Sequence, residues 1–263
     1  MNSLSAAESL NRKTMRDSVR WYSTYDELNA PERTAFAAVA AQFSNKRILD
    51  LGVGAGRTTP ALLQISSNYT GIDYVPEMVA QCRNRFAGVR FEHADARSMQ
   101  QFADRSFDLI VFACNGVSMV DHAGRKAILN EVRRLLDVGG VFIFSTYNRN
   151  SDEHDRGFEL PAFTPSWNPL RLGVRAARFM VDLVRGLGNR LRYRRYEVRT
   201  EEYTIRNDRC HHYATMLYYI SMENQFKQLL QAGFPHTPEV YDGSGQRAPQ
   251  DTRADSLTYV VRG

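Results

Sequence analysis

The chain has 263 residues, 43% of them apolar, and a formal charge of +5. That length suits one large α/β domain with an insertion. No apolar run is long enough to span a bilayer. The opening MNSLSAAESLNRKT lacks the apolar centre of a secretory leader. Cys82, Cys114 and Cys210 are odd in number and lack metal-ligand spacing, so a reducing cytoplasm is expected and no metal site is.

Ser5 to about Tyr22 reads as a polar helix whose end is crowded by Trp21, Tyr22 and Tyr25. Pro31 opens a second helix through Phe43, with Ala35, Phe36, Val39, Ala40 and Phe43 at helical spacing. From Arg47 the pattern alternates strand and helix: Arg47–Leu51, Thr58–Ile65, Tyr69–Asp73, Pro76–Phe86, Val89–His93, Phe107–Ala113, His122–Leu136 and Val141–Tyr147. Such alternation builds a parallel sheet covered on both faces.

The first strand runs into Gly52-x-Gly54-x-Gly56, with Asp50 two residues before the first glycine. A strand that stops at glycines and opens a helix brings a ligand against bare backbone and helix N-terminal N–H groups. A dinucleotide turn uses G-x-G-x-x-G, so the closer spacing here disfavours a pyrophosphate. Asp73 ends the second strand 17 positions after Gly56, near the ~20-residue offset at which an acid reaches a ribose. A carboxylate there accepts both hydrogens of a cis-diol. Met78 lies early in the next helix, which opens at Pro76. Ala94-Asp95-Ala96 follows the third strand, Cys114-Asn115-Gly116 the fourth, and the turn Val138-Gly139-Gly140 precedes the fifth.

These segments, in this order, resemble the class I S-adenosylmethionine-dependent methyltransferases, closely over residues 46–147 and loosely over 222–263. The resemblance implies a Rossmann-like α/β fold: a seven-stranded, mostly parallel sheet with an antiparallel final strand and an inserted α+β lid. It implies S-adenosylmethionine as cofactor, held by Asp50, Gly52, Gly54, Gly56, Asp73, Tyr74, Met78, Asp95, Ala96 and Cys114. Tyr22 or Tyr25, on the covering N-terminal helices, would be well placed to touch it. Three parts are expected: cap helices over 1–45, a cofactor-binding domain over 46–147 and 221–263, and an acceptor lid over 148–220.

Within the lid, Asn148 to Asn168 reads as loop. Two β-rich runs, Tyr196–Ile205 and His211–Ile220, flank Arg206-Asn207-Asp208-Arg209, which reads as a hairpin turn. The chain closes with helix Met222–Ala232 and strands near Thr237–Tyr241 and Ser256–Val261, a pair that can run antiparallel.

Between loop and hairpin, Arg171 to Arg199 holds nine arginines against Asp182 and Glu197, a local +7 that leaves the rest of the chain at −2. At ~100° per residue, Arg171, Arg175, Arg178, Asp182 and Arg185 form one stripe, and nearly everything else is apolar or glycine. A helix so wide in its apolar face is expected to bury more than half its circumference. Residues 169–195 therefore suit burial within the fold, a homodimer, peripheral membrane contact or the lining for an anionic or lipid-linked acceptor. Nucleic acid is disfavoured: the Asn/Asp-Pro-Pro-Tyr signature and zinc knuckles are absent.

Transfer to a hydroxyl needs a base, and histidine suits it. His211 in the lid ranks first and His122 second. As neighbours in a strand, His211 and His212 would point to opposite faces. The expected acceptor is a small molecule or carbohydrate precursor. N-methylation of a small amine, or a non-catalytic cofactor-binding protein docking through the basic helix, are the alternatives.

Overall fold

The computed structural model describes residues 5–154 and 156–263. The first four residues of the N-terminal segment considered above as a leader lie outside them. Helices α1 (Ala6–Asp17), α2 (Val19–Tyr22) and α3 (Ala30–Val39) precede strand β1 (Ile48–Leu51). Then come α4 (Thr59–Ile65), β2 (Tyr69–Asp73), α5 (Pro76–Arg85), β3 (Arg90–His93), β4 (Phe107–Phe112), α6 (His122–Leu135) and β5 (Leu136–Asn148). The insertion supplies α7 (Pro169–Tyr193), β6 (Val198–Arg199), β7 (Tyr203–Asp208) and β8 (Thr215–Ile220). Helix α8 (Met222–Gln231), β9 (Glu239–Tyr241) and β10 (Ser256–Arg262) complete the chain.

The expected seven strands are present in the order β3-β2-β1-β4-β5-β10-β9. The first five pair in parallel, and β10 runs antiparallel to both β5 and β9. The sheet is larger than expected, with ten strands among the described residues. Strand β8 pairs in parallel with the last two residues of β5, Tyr147↔Tyr219 and Asn148↔Ile220. The inserted hairpin thereby extends the main sheet, with β7 and β6 beyond it.

Alternation along the central strands sorts the core into two layers. Leu49, Leu51, Ile110, Phe112, Phe142 and Phe144 face α6 and α8, meeting Ile128, Leu129, Val132 and Leu229. Ile48, Leu109, Val111, Val141 and Ile143 face the other way, onto Ala35, Phe36 and Val39 of α3 and Leu62 of α4. Strand β5 starts five residues before its expected first residue. Val138-Gly139-Gly140 is a bulge, not a turn: register shifts between Phe107↔Leu136 and Leu109↔Val141, and Gly139 takes φ +73°.

Reciprocal caps start two of the N-terminal helices. Ser5 and Glu8 exchange side-chain and backbone bonds at α1, and Asn29 and Glu32 do so at α3. Both acids are used twice: Glu8 also pairs with Arg97 at 3.0 Å and Glu32 with Arg57, directly after the glycine turn. Asn11 of α1 clasps the hairpin, its Oδ1 accepting from Met216 N at 2.8 Å and its Nδ2 donating to Met216 O and Met119 O at 2.7 Å each.

The hairpin turn is not at 206–209. Pairing continues to Asp208↔Thr215, and the chain reverses over Arg209 to Ala214. Asn207 stays in the strand, donating to Tyr213 O and Thr215 O across the turn. Helix α7 also departs from expectation. Gly186 is its one buried residue among those described, and its body lies open on the surface.

Candidate active site

Strand β1 ends in three glycines, all with positive φ. Gly52 has room for nothing more, since a Cβ there would lie 2.6 Å from the ring of Phe112. A Cβ on Gly56 would strike Phe86. A Cβ on Gly54 would meet nothing nearer than Gly52 O at 4.0 Å, so its side of the turn is open for a ligand to approach. The Gly54 N–H donates to Asp73 Oδ2 at 2.9 Å and the Val75 N–H to Asp73 Oδ1 at 2.8 Å. Burial pushes the Asp73 carboxyl up to about 6 against the pull of these amides. The Tyr74 amide also bonds the carboxylate, which keeps the rest of its acceptor capacity for a ligand.

These groups open onto one cavity of about 160 Å³ that is open to solvent. Gly52, Gly54, Asp73, Tyr74 and Met78 line it from the glycine side, and Cys114 from the end of β4. His211 and Cys210 line it from the hairpin turn, and Met15 and Tyr22 from the N-terminal helices. The remaining wall is largely apolar, with Val75, Phe112, Met119 and Leu217.

Two strained segments meet here. Cys114 and Asn115 both take left-handed φ, as do His211, His212 and Tyr213 in succession. Each such non-glycine residue costs about 1–3 kcal/mol and persists only where its surroundings hold it. At the hairpin, Asn189 Nδ2 donates to His212 O at 2.9 Å and Thr14 Oγ1 to Ala214 O at 2.7 Å. The two histidines do part company, through turn geometry and not strand alternation. The His211 ring turns inward, with Nδ1 3.2 Å from Ser18 Oγ and Nε2 3.4 Å from Tyr22 Oη. His212 points outward, 3.8 Å from Asp182 of α7. Burial, with His212 and Arg185 nearby, holds the His211 pKa below its ordinary value, so the ring is a neutral base near pH 7.

Four expected cofactor residues do not line this cavity. Asp50 turns beneath the glycine turn, where its Oδ2 accepts from Thr58 Oγ1 at 2.6 Å and Tyr69 Oη at 2.9 Å. Its burial raises its pKa to about 6, and it braces the loop instead of facing a ligand. Gly56 is packed under Phe86. Asp95 lies in an adjoining cleft that shares Tyr74 and Met119 with the cavity, and its carboxylate is taken by Arg97 at 2.7 Å. Ala96 packs on the core. His122 is also elsewhere. Its ring stacks on Tyr203 of β7 at 4.4 Å and Nδ1 lies 2.9 Å from Tyr218 Oη of β8, because α6 starts beside the inserted hairpin. Tyr25 stacks on exposed Trp21 at 6.2 Å and does not line the cavity, whereas Tyr22 does.

Sequence reasoning passed over Asn115. It lines the cavity, and its Oδ1 is buried without a hydrogen-bond partner, an acceptor left for a ligand donor. Its signal was slight, a polar residue before a glycine at a strand end. Among the described residues, no group of three or more His, Cys, Asp or Glu side chains is placed to hold a metal ion.

Residues 48–140 match the methyltransferase domain family model. Over 139 residues the chain is 28% identical to the ubiquinone biosynthesis O-methyltransferase of Pseudomonas aeruginosa, covering 50% of this chain and 59% of that protein. It is 32% identical over 119 residues to the demethylmenaquinone methyltransferase of Clavibacter sepedonicus, covering 44% and 47%. The chain thus spans only about half the length of these curated relatives. Among solved structures, an S-adenosylmethionine-dependent methyltransferase from Mesorhizobium loti superposes with TM-score 0.58 at 20% identity, over 89% of this chain and 98% of that one. The 1,6-didemethyltoxoflavin-N1-methyltransferase of Burkholderia thailandensis, solved with S-adenosylhomocysteine, superposes with TM-score 0.58 at 17% identity, over 100% and 92%. Residues 48–140 thus form a methyltransferase domain, and the chain has the fold of the S-adenosylmethionine-dependent methyltransferases.

Proposed function

We propose that the chain transfers a methyl group from S-adenosylmethionine to a small-molecule acceptor, at a hydroxyl, with His211 as general base. The observation that carries this reading is that the glycine turn, Asp73 and a neutral histidine share one cavity. The cofactor, when bound, supplies a methyl on a positively charged sulfur.

The residues present suit that group. Asp73 offers its spare lone pairs to a ribose diol, Gly54 lets the ligand approach backbone, and Val75 and Met78 offer apolar surface to a base. The unpartnered Asn115 Oδ1 is an acceptor for a donor on cofactor or substrate. His211 takes the acceptor proton at Nε2, where Tyr22 Oη now sits at a loose 3.4 Å. Ser18 fixes the ring from the other nitrogen. The apolar wall excludes water, which strengthens each electrostatic contact. The O-methyltransferase named above supports oxygen as the receiving atom.

Incubation with methyl-labelled cofactor and a panel of phenols, catechols and small amines tests the reading. Label on oxygen, lost in His211→Ala, is expected. Label on nitrogen alone would move the reading to an amine acceptor, and no transfer to any compound would leave a cofactor-binding protein without catalysis.

A further inference from the structure

Helix α7 is amphipathic with its apolar face turned to solvent. The face toward the body is narrow. It holds Gly186, whose missing Cβ would lie 3.5 Å from Phe158 and 3.6 Å from Tyr213, along with half-buried Phe179 and Leu183. On the opposite side Leu170, Val174, Met180, Val181, Val184, Leu187 and Leu191 are all exposed, Leu170 at 82% and Leu191 at 77%. Trp167, just before the helix, is fully exposed. A contiguous apolar surface of this kind marks a docking face.

Charge says what it docks against. Arg171, Arg175, Arg178 and Arg185 run along one flank of that face, and no carboxylate among the described residues pairs with any of them. Asp182, the one acid of the helix, is turned to His212. Antiparallel pairing of two copies through this face would set two arginine stripes without carboxylate partners side by side, which repels such a homodimer. An anionic lipid surface neutralises the same stripe and takes up the apolar side chains, with Trp167 suited to the headgroup level. We infer that α7 lies in the surface of anionic membranes as an interfacial helix. Its arginine stripe keeps it along the bilayer instead of across it, and no described helix is long and apolar enough to cross.

Docking there reaches the site. The inner face of α7 packs on the turn that carries His211, through Gly186 against Tyr213 and Asn189 on His212 O. A helix held at a membrane thus anchors the element that presents the base. This inference stands apart from the proposed chemistry, because its test uses no turnover.

The test is flotation of the intact protein with vesicles, equimolar phosphatidylcholine and phosphatidylglycerol against phosphatidylcholine alone. Binding to the anionic vesicles, weakened by added salt, is expected. Val181→Glu with Val184→Glu, and separately Arg171→Glu with Arg178→Glu, should each lower the bound fraction about tenfold or more. All four positions are surface ones, so melting temperature and S-adenosylhomocysteine binding should hold. Sedimentation velocity without lipid should give a monomer. Absence of vesicle binding, binding indifferent to these changes, or a stable dimer split by the valine substitutions would each overturn the inference, the last in favour of a second copy.

Discussion

Tyr22 Oη and His211 Nε2, 189 residues apart in sequence, lie 3.4 Å from each other at the wall of the cavity. The contact joins the N-terminal helices to the inserted hairpin, so the two elements that cover the site meet on the proposed base. Burial raises the Tyr22 pKa far above the ordinary phenol range, so it stays protonated and donates to Nε2 in the tautomer whose proton is on Nδ1. A donor to Nε2 favours the neutral ring.

Replacing His211 by alanine should lower kcat by roughly 10²- to 10⁴-fold, the span of general-base catalysis. Cofactor affinity should stay within a few-fold. Because the base works only when neutral, kcat/KM should fall as pH drops through a pKa below about 6.5. Tyr22→Phe removes the donor that favours the neutral form and should move that limb to higher pH. A pH–rate series on both variants decides it.

Asp73 must be ionised to accept from a diol with both oxygens. Its pKa is pushed up to about 6, so cofactor affinity should tighten as pH rises through that value and level off above it. Asp73→Asn should weaken binding by about 1.5–3 kcal/mol, the value of hydrogen bonds to a charged group, and flatten the pH dependence. Calorimetric titration with S-adenosylhomocysteine from pH 5 to 8 reads both effects, the interval being roughly the carboxyl's span around neutrality.

Gly54 and Gly56 should fail differently. Gly54→Ala places a methyl on the ligand side, with φ +57° its main strain. It should cost about 1–2 kcal/mol of stability while removing most cofactor binding. Gly56→Ala combines φ +87° with an overlap on Phe86. Its loss should appear first in the melting temperature, at roughly 1–3 kcal/mol.

Arg125 is fully buried without a carboxylate partner. It donates to Val117 O, Thr146 Oγ1 and Gln228 Oε1 at 3.1 Å each and to Gln225 Oε1, and burial lowers its pKa to about 10. Arg125→Met keeps bulk but orphans those acceptors, so a loss of about 2–4 kcal/mol is expected in urea unfolding. Cofactor binding should weaken too, since Val117 lies in the short turn Gly116–Met119, whose two ends line the cavity.

Alternation of short apolar strands with helical segments, and glycines before a helix, made the sheet, the ligand turn and Asp73 legible from sequence. Local signals failed where a distant group decided the outcome. Asp50 faces Thr58 and Tyr69 below the turn because a buried carboxylate takes the nearest hydroxyl donors. Asn207 looked like a turn residue but spends its amide across the real turn. His122 followed α6 to the tyrosines of the hairpin. The surface position of α7 was invisible because its composition describes a helix that needs covering, and none of the described residues covers its apolar face.

The central claim is that this cavity grips S-adenosylmethionine through the glycine turn and Asp73. Isothermal titration of the purified protein with S-adenosylmethionine and, separately, with NAD tests it most directly. One saturable site for the first, lost in Asp73→Asn and kept in His211→Ala, and no heat from the second is the predicted result. A protein that ignores S-adenosylmethionine, or binds it equally well without the Asp73 carboxylate, would contradict the account.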